Sequence, residues 1–342
     1  MADNQSVSRG LVSVSDLQAA IHIYIYDRLV LTVCIAILYP AMVMVDAGFI
    51  ATTVNYLWPI TFGLFNLYLL KKDLEKQEIP TWQRVLGIIS LVYAINMEQM
   101  TLVLTAVFLV AIVCLVYKRE IKVFTVIQTI ISVGGLIYAY LGNIMQDNSR
   151  MVREIGRYFP DFESLNIFQK IEMGFSSTFF SMIMKVNFAS VAFLIFTATV
   201  SFVILKSKAK IFQKIISLIP VLSVIALSVT NEIFNFSKMQ NFKMTKAQYQ
   251  FDFTADIFYV VIIAIIIYEL YILIDNKIDL IKSLFVLVLG LGTRMVMGFS
   301  PTVWASGYRT FAIMIISFII VAVFILKQKQ YLNEVHNEVA CE

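Results

Sequence analysis

The chain consists of long apolar runs separated by short polar segments. Several runs reach the roughly 20 residues that a helix needs to cross a bilayer, and the alternation typical of membrane strands is absent. The pattern predicts an all-α, polytopic integral membrane protein with about ten transmembrane helices. The predicted helices are Leu29–Val45, Leu57–Leu70, Val85–Asn96, Thr101–Tyr117, Val123–Tyr140, Val186–Leu205, Ile211–Val229, Ile257–Leu273, Leu280–Gly298 and Phe311–Leu326.

Composition supports this prediction. Hydrophobic residues make up 59% of the chain and charged residues only 15%, whereas soluble domains carry about 25% charge. Cys34 and Cys114 lie within apolar runs and Cys341 lies in the tail, so no disulfide framework is expected. The only histidines, His22 and His336, lie near the termini, which argues against a histidine-metal enzyme.

Lysine and arginine concentrate in the loops on one side of the predicted bundle, for example at residues 71–76, 118–122 and 206–214. The positive-inside rule places these loops and both termini in the cytoplasm. The expected location is the plasma membrane. The predicted organisation is a cytoplasmic N-terminal segment at residues 1–28, a multi-pass membrane domain at 29–326 with outer loops at 142–177 and 231–256, and a cytoplasmic tail at 327–342.

A short polar hairpin, Ser300–Arg309, separates the last two apolar runs. Its backbone groups and its arginine need partners in hydrocarbon, so it is expected at the membrane surface or beside a wet cavity. We interpret it as one wall of the functional site. Function is expected on the outer face, where the long polar segments also fall.

Two carboxylates are the candidate acid–base groups. Glu98 interrupts the apolar stretch Val85–Tyr117 and is flanked by Asn96 and Gln99, which can hydrogen-bond to it. At the outer edge of the membrane, such a carboxylate can act as a general base on a sugar hydroxyl or hold a cation. The simpler alternative is that Glu98 tops a helical hairpin and meets water. Asp46, which closes the first apolar run, is the second candidate.

Amide and aromatic residues near the interface are candidates for sugar contact. Asn55 and Trp58 are close together in sequence, and an aromatic ring beside an amide suits stacking against a carbohydrate face. Tryptophan also forms ordinary interfacial belts, so Trp58 has that second interpretation.

Arginines are the candidate anion-binding groups. Arg150, Arg153 and Arg157 are spaced i, i+3, i+7, which places them on one helical face. They can grip the phosphate or pyrophosphate of a lipid-linked donor, or rest on acidic lipid headgroups. Arg309, just before the last apolar run, is the strongest anion-binding candidate, with an interfacial anchor as its alternative. Arg294 lies within the preceding helix near its outer end.

No Walker loop, Rossmann glycine pattern, zinc signature or serine-hydrolase elbow is present in the sequence. This argues against nucleotide-driven chemistry. No cofactor and no nucleic-acid partner are predicted, and a divalent metal is left open.

Four segments together carry a resemblance to a known family. The segments are Asn55-Tyr56-Leu57-Trp58, Asn96-Met97-Glu98-Gln99, Gly142-Asn143 through Arg150 to Tyr158-Phe159-Pro160-Asp161-Phe162, and Ser300-Pro301-Thr302 through Tyr308-Arg309-Thr310. Through them the chain resembles an uncharacterised family of polytopic Gram-positive envelope proteins that are similar to serotype-converting glucosyltransferases. The resemblance implies a GT-C-like bundle and an enzyme that uses a polyprenyl-phosphate sugar on the outer leaflet.

The chain also departs from the family pattern. Family members begin with one more transmembrane helix and a first outer loop bearing paired acidic residues, which the residues before Leu29 do not supply. Either the protein is a shortened version, or the acidic role has passed to Asp46 or Glu98.

The leading hypothesis is a membrane glycosyltransferase-like protein that builds cell-surface polysaccharide or teichoic acid. Its partners would be a polyprenyl-linked sugar, a surface glycan acceptor and membrane lipids. The alternatives are an oligosaccharide repeat-unit polymerase, a transporter or flippase of lipid-linked sugars, and a non-catalytic subunit. The predicted catalytic residues are Glu98 and Asp46, and the predicted substrate-binding residues are Asn55, Trp58, Asn96, Gln99, Asn143, Arg150, Arg153, Tyr308 and Arg309.

Overall fold

The computed structural model describes residues 49–145, 148–234, 248–249 and 251–341. Every regular element within these ranges is a helix. The first predicted helix, Leu29–Val45, and Asp46 lie outside the described residues. The helices are α1 (Trp58–Leu74), α2 (Thr81–Ala94), α3 (Glu98–Tyr117), α4 (Val123–Met145), α5 (Asn148–Tyr158), α6 (Ile167–Phe179), α7 (Phe188–Lys206), α8 (Ile211–Phe234), α9 (Phe253–Leu273), α10 (Lys277–Met295) and α11 (Ala312–Cys341).

In the described part of the chain, seven helices are long and apolar enough to cross a membrane. The α-helical membrane class is therefore as predicted, but the count of about ten spans is not confirmed. Helices α1 and α2 have only 17 and 14 residues. The candidate spans are Glu98–Tyr117, Val123–Leu141, Phe188–Lys206, Ile211–Asn231, Phe253–Leu273, Lys277–Phe299 and Tyr308–Gln328.

The segment predicted as a long outer loop, residues 142–177, is largely helical. It contains the end of α4, all of α5 and most of α6. A capping box starts α6: the Asn166 side chain accepts from the Gln169 N–H, and the Gln169 side chain accepts from the Asn166 N–H, both at 2.9 Å. The helix continues into a π-helical stretch, Phe180–Met184.

Basic residues lie in the connections at one end of the helices. Lysines occur between α1 and α2, between α3 and α4, between α7 and α8, and at the start of α10. Short connections make consecutive helices antiparallel, so these loops share one end of the molecule. Lys76 Nζ lies 2.7 Å from Glu120 Oε1, which joins two of them directly. The turn between α2 and α3 and the hairpin between α10 and α11 lie at the other end.

A buried polar network holds α1, α2 and α4 together. Asn66 Nδ2 donates to Ser90 Oγ, and Gln128 Nε2 donates to Asn66 Oδ1, both at 2.9 Å. Asn66 and Gln128 are fully buried. In an apolar setting an unpaired amide costs several kcal/mol, so this network favours one register of the three helices.

The backbone of α6 touches the turn that follows α10. A Cβ added to Gly298, in the 3-10 turn Val296–Phe299, would lie 2.0 Å from Lys170 O. A Cβ on Gly174 would lie 2.0 Å from Met295 O. Only glycine permits this approach, which fixes where the hairpin begins.

Candidate functional site

A cavity of about 750 Å³ lies at the end of the molecule opposite the basic loops. Three segments that are far apart in sequence form its walls: residues 51–59, the α2–α3 turn, and the hairpin. The lining residues are Ala51, Thr52, Val54, Asn55, Tyr56, Pro59, Tyr93, Asn96, Met97, Glu98, Gln99, Met297, Thr302, Ser306, Arg309 and Thr310.

The first wall is a π-helical segment, Thr53–Leu57, that precedes α1. Such segments are rare and occur often at functional sites, because the wider turn redirects side chains. Here it presents Asn55 and Tyr56 to the cavity. The Tyr93 hydroxyl donates to Val54 O at 3.0 Å, which ties the segment to α2.

The second wall is the tight turn between α2 and α3. Asn96 Nδ2 donates to Val92 O at 3.0 Å and Tyr93 O at 3.1 Å, which caps the end of α2. Glu98 is the first residue of α3, is exposed, and lines the cavity. A carboxylate in the first turn is stabilised by the positive end of the helix dipole.

Gln99 joins this turn to the hairpin. Its Nε2 donates to Thr293 O at 2.9 Å and to Thr310 O at 3.1 Å. Both neighbours are carbonyl acceptors, so the nitrogen must point to them and Oε1 must face the other way. Gln99 is 8% exposed, and its Oε1 is buried with no partner within the described residues.

The third wall is the hairpin, which an apolar cluster and a buried arginine hold in place. Val303, 1% exposed, packs with Ile155, Phe159 and Phe162. Arg294, 2% exposed, donates from Nη2 to Val303 O at 3.1 Å. Its guanidinium carbon lies 4.5 Å from the centre of the Phe311 ring. Arg294 therefore fastens the middle of the hairpin to α10, and Gln99 bridges the end of α10 to Thr310, directly after the hairpin.

Arg309 brings a cation into the cavity. Its guanidinium carbon lies 5.5 Å from the centre of the Tyr56 ring on the opposite wall, within cation–π range. Its Nε is buried and has no hydrogen-bond partner in the described part of the chain. Glu98 and Arg309 thus place an acidic and a basic side chain in the same cavity.

The structure brings together five of the residues proposed from the sequence: Asn55, Asn96, Glu98, Gln99 and Arg309 line the cavity. The other proposed residues are placed as follows. Three of them do not line the cavity: Trp58 is 47% exposed, Tyr308 contacts the Phe188 ring, and Arg153 is exposed on α5. Asp46 and the side chains of Asn143 and Arg150 lie outside the described part.

Sequence reasoning missed several lining residues. Tyr93 precedes Asn96 by three positions, which is helical spacing and places both on one face. Thr302 and Ser306 belong to the hairpin, but their hydroxyl groups were not singled out. The presence of these two hydroxyl residues shortly before Arg309 in the sequence is the signal that could have identified them.

A second acidic group lies away from the cavity. Both carboxylate oxygens of Glu172, on α6, are buried, and Tyr249, Ser176 and Asp256 lie beside them. Burial raises the pKa of Glu172 to about 7, and the charge of Asp256 acts in the same direction. Asp256 Oδ1 accepts a hydrogen bond from Ser176 Oγ at 2.6 Å. Among the described residues no group of three or more His, Cys, Asp or Glu side chains could hold a metal ion.

The raised pKa of Glu172 predicts a pH-dependent stability. Between the ordinary pKa of 4.5 and the folded pKa of about 7, the unfolded chain ionises while the folded protein does not. The free energy of unfolding is therefore expected to fall as the pH rises through this window. Comparing thermal midpoints at about pH 5 and about pH 8 tests this. Glu172→Gln is expected to flatten the profile; a control, Glu163→Gln at an exposed position, is not. An unchanged slope in Glu172→Gln contradicts the prediction.

No family model, curated protein or solved structure matches this chain. Function is therefore inferred from the cavity and from the sequence motifs that line it.

Proposed function

We propose that the protein is a membrane glycosyltransferase-like enzyme of the plasma membrane. It transfers a sugar from a polyprenyl-phosphate donor to a cell-surface glycan or teichoic acid on the outer face. The observation that carries this proposal is the cavity itself, in which a carboxylate, a cation and three amides from distant segments come together. The position of the cavity opposite the basic loops agrees with an outward-facing site.

The proposed reaction assigns one role to each charged group. Glu98 accepts the proton of an acceptor hydroxyl, and the acceptor oxygen forms a bond to the anomeric carbon of the donor sugar. The bond from that carbon to the phosphate oxygen breaks, and its electron pair leaves with the polyprenyl phosphate. Arg309 stabilises the negative charge that develops on the phosphate.

The size of the cavity fits a sugar phosphate. Its volume of about 750 Å³ lies within the range of about 300–1,000 Å³ that is usual for small-molecule sites. Tyr56 and Tyr93 supply aromatic surface, which suits the apolar face of a sugar ring. The lipid chain would remain in the bilayer, where the exposed apolar faces of the helices lie.

Replacing Glu98 with glutamine tests the proposed base. The side chain keeps its size but cannot take up a proton, so transfer is expected to fall by about 10²–10⁴-fold. The measurement is mass spectrometry of the surface glycan from cells that carry wild-type protein or Glu98→Gln at equal levels. Glu163→Gln, at an exposed position on a 3-10 turn, is the matched control. Unchanged decoration in Glu98→Gln eliminates the base.

A second candidate function is transport of the lipid-linked sugar. Glu269, 1% exposed within the candidate span of α9, has both carboxylate oxygens buried without a partner in the described chain. An ionisable residue inside a membrane span is a candidate for proton or ion movement. The same glycan measurement separates the two functions. If the protein is a transferase, glycan decoration is lost in Glu98→Gln alone. If it is a coupled transporter, decoration is lost in Glu269→Gln.

A further inference from the structure

The two walls of the cavity on either side of Gln99 differ in hydrogen-bonding character. The α2–α3 turn offers acceptors at Asn96 and Glu98, and the hairpin offers donors. The difference arises because the amide hydrogens of the turn already donate to backbone carbonyl groups. A ligand with acceptors at one end and donors at the other can therefore bind in one orientation.

The turn wall offers acceptors because its amide hydrogens are consumed. Both hydrogens of Asn96 Nδ2 go to carbonyl groups at the end of α2, which leaves Oδ1 as the only free polar atom of that side chain. Both hydrogens of Gln99 Nε2 go to Thr293 O and Thr310 O, so this amide holds the wall in place, and its buried Oε1 does not face the cavity. An ionised Glu98 carboxylate can only accept.

The hairpin wall offers donors because its hydroxyl groups form a chain. Ser300 Oγ lies 2.8 Å from Thr302 Oγ1, which lies 3.1 Å from Ser306 Oγ. Ser300 Oγ also accepts from the Thr302 N–H at 3.3 Å. In each hydroxyl pair either oxygen can donate, and a phosphate selects the direction from Ser300 through Thr302 to Ser306, because it needs the hydrogen of Ser306 as a donor.

Arg309 adds to this donor wall. Its guanidinium makes no hydrogen bond and no ion pair in the described part of the chain, while the Tyr56 ring faces it at 5.5 Å. Ser306 lies three residues before Arg309, and both line the cavity. A hydroxyl and a guanidinium side by side match two oxygens of one phosphate group.

We propose that the hairpin wall is the phosphate subsite of the cavity, with Ser306 and Arg309 as its ligands. The wall of Asn96 and Glu98 is the sugar subsite, since sugar hydroxyls can donate to the Asn96 Oδ1 and Glu98 carboxylate oxygens that line the cavity. This inference rests on the proposed function only in taking a lipid-linked sugar phosphate as the ligand. It assigns the orientation of that ligand: phosphate against the hairpin, sugar against the α2–α3 turn.

Binding to the purified full-length protein tests the orientation without requiring turnover. The probes are undecaprenyl phosphate and undecaprenol, presented in the same neutral vesicles, and the readout is the dissociation constant for each. Ser306→Ala and Arg309→Met are expected to weaken binding of the phosphate lipid by about tenfold or more, since each removes a hydrogen bond to a charged group. Binding of the alcohol is expected to stay unchanged in both variants.

Two further variants control for folding and for location. Ser300→Ala, which removes the start of the hydroxyl chain but leaves the Ser306 hydroxyl, is expected to bind within about twofold of wild type. Ser306→Thr keeps the hydroxyl and is expected to rescue binding. Equal binding of undecaprenyl phosphate by wild type, Ser306→Ala and Arg309→Met overturns the proposal. The proposal is also overturned if Glu98→Gln weakens binding of undecaprenyl phosphate as strongly as Ser306→Ala does.

Arms with inorganic phosphate and with phosphatidylglycerol vesicles distinguish the source of the phosphate. Ser306-dependent binding of either supports the subsite and assigns it to free phosphate or to ordinary lipid headgroups. Failure of the orientation and failure of the function give different patterns. Hairpin-dependent phosphate binding with intact glycan in Glu98→Gln upholds the subsite and removes the transferase; the reverse pattern removes the subsite alone.

Discussion

A Gly298→Ala protein is expected to lose about 3 kcal/mol or more of folding free energy, enough to prevent recovery of folded protein from the membrane. The added Cβ would lie 2.0 Å from Lys170 O, 2.7 Å from Gly174 N and 2.8 Å from Gly174 Cα. All three atoms belong to backbone, so no side chain can rotate away. The α6 helix and the start of the hairpin must therefore separate.

The measurement is the thermal midpoint and the monodisperse yield in detergent. Gly292→Ala is the matched control, because it lies on α10 and a Cβ there meets no heavy atom within 4 Å. Gly174→Ala is expected to behave like Gly298→Ala, since its Cβ would lie 2.0 Å from Met295 O. A Gly298→Ala protein as stable as Gly292→Ala disproves the close packing of α6 on this turn.

A Gln99→Leu protein is expected to lose about 2–4 kcal/mol, with the loss of substrate binding as a second consequence. The Gln99 side chain donates to Thr293 O at the end of α10 and to Thr310 O at the end of the hairpin. Leucine fills a similar volume but leaves both carbonyl groups buried without a donor. The hairpin is then free to move away from α3, and Arg309 moves with it.

Two variants sharpen this second prediction. Gln99→Glu can donate one hydrogen at most, so its thermal midpoint is expected to lie between those of wild type and Gln99→Leu. Gln77→Leu, at an exposed position whose amide bonds only to Glu75, is the surface control. If Gln99→Leu unfolds at the wild-type temperature, the two bonds do not hold the hairpin.

The sequence predicted most helices because a bilayer demands long apolar runs, but it placed their ends poorly. Helix α1 continues beyond the predicted Leu70 through Lys71 and Lys72, because basic residues in a last turn are compatible with the helix dipole. The sequence assigns residues 142–177 to an outer loop, in which only the spacing of Arg150, Arg153 and Arg157 indicates the helical face of α5. The Asn166–Gln169 capping pair was the local signal for α6.

The candidate site was predictable in its residues and not in its geometry. Asn55, Glu98 and Arg309 stood out as polar residues beside apolar runs, which is a local property. Their meeting in one cavity depends on contacts such as those of Gln99, whose two acceptors lie 194 and 211 residues away in the chain. Hydrophobic pattern carries no information on such pairings. The sequence of the π-helical segment Thr53–Leu57 likewise shows no apolar period that predicts it.

The shortness of α2 has a consequence for the surrounding lipid. Its 14 residues extend about 21 Å, against a hydrocarbon core of about 30 Å. An outward apolar stripe that includes Val85, Ile89 and Val92 runs along this helix. We expect the bilayer to be locally thinner beside this stripe. Local thinning beside Asn96 and Glu98 would bring the lipid headgroups to the level of the cavity opening. The phosphate end of a long isoprenoid lipid could then enter the cavity while its chain stays in the leaflet.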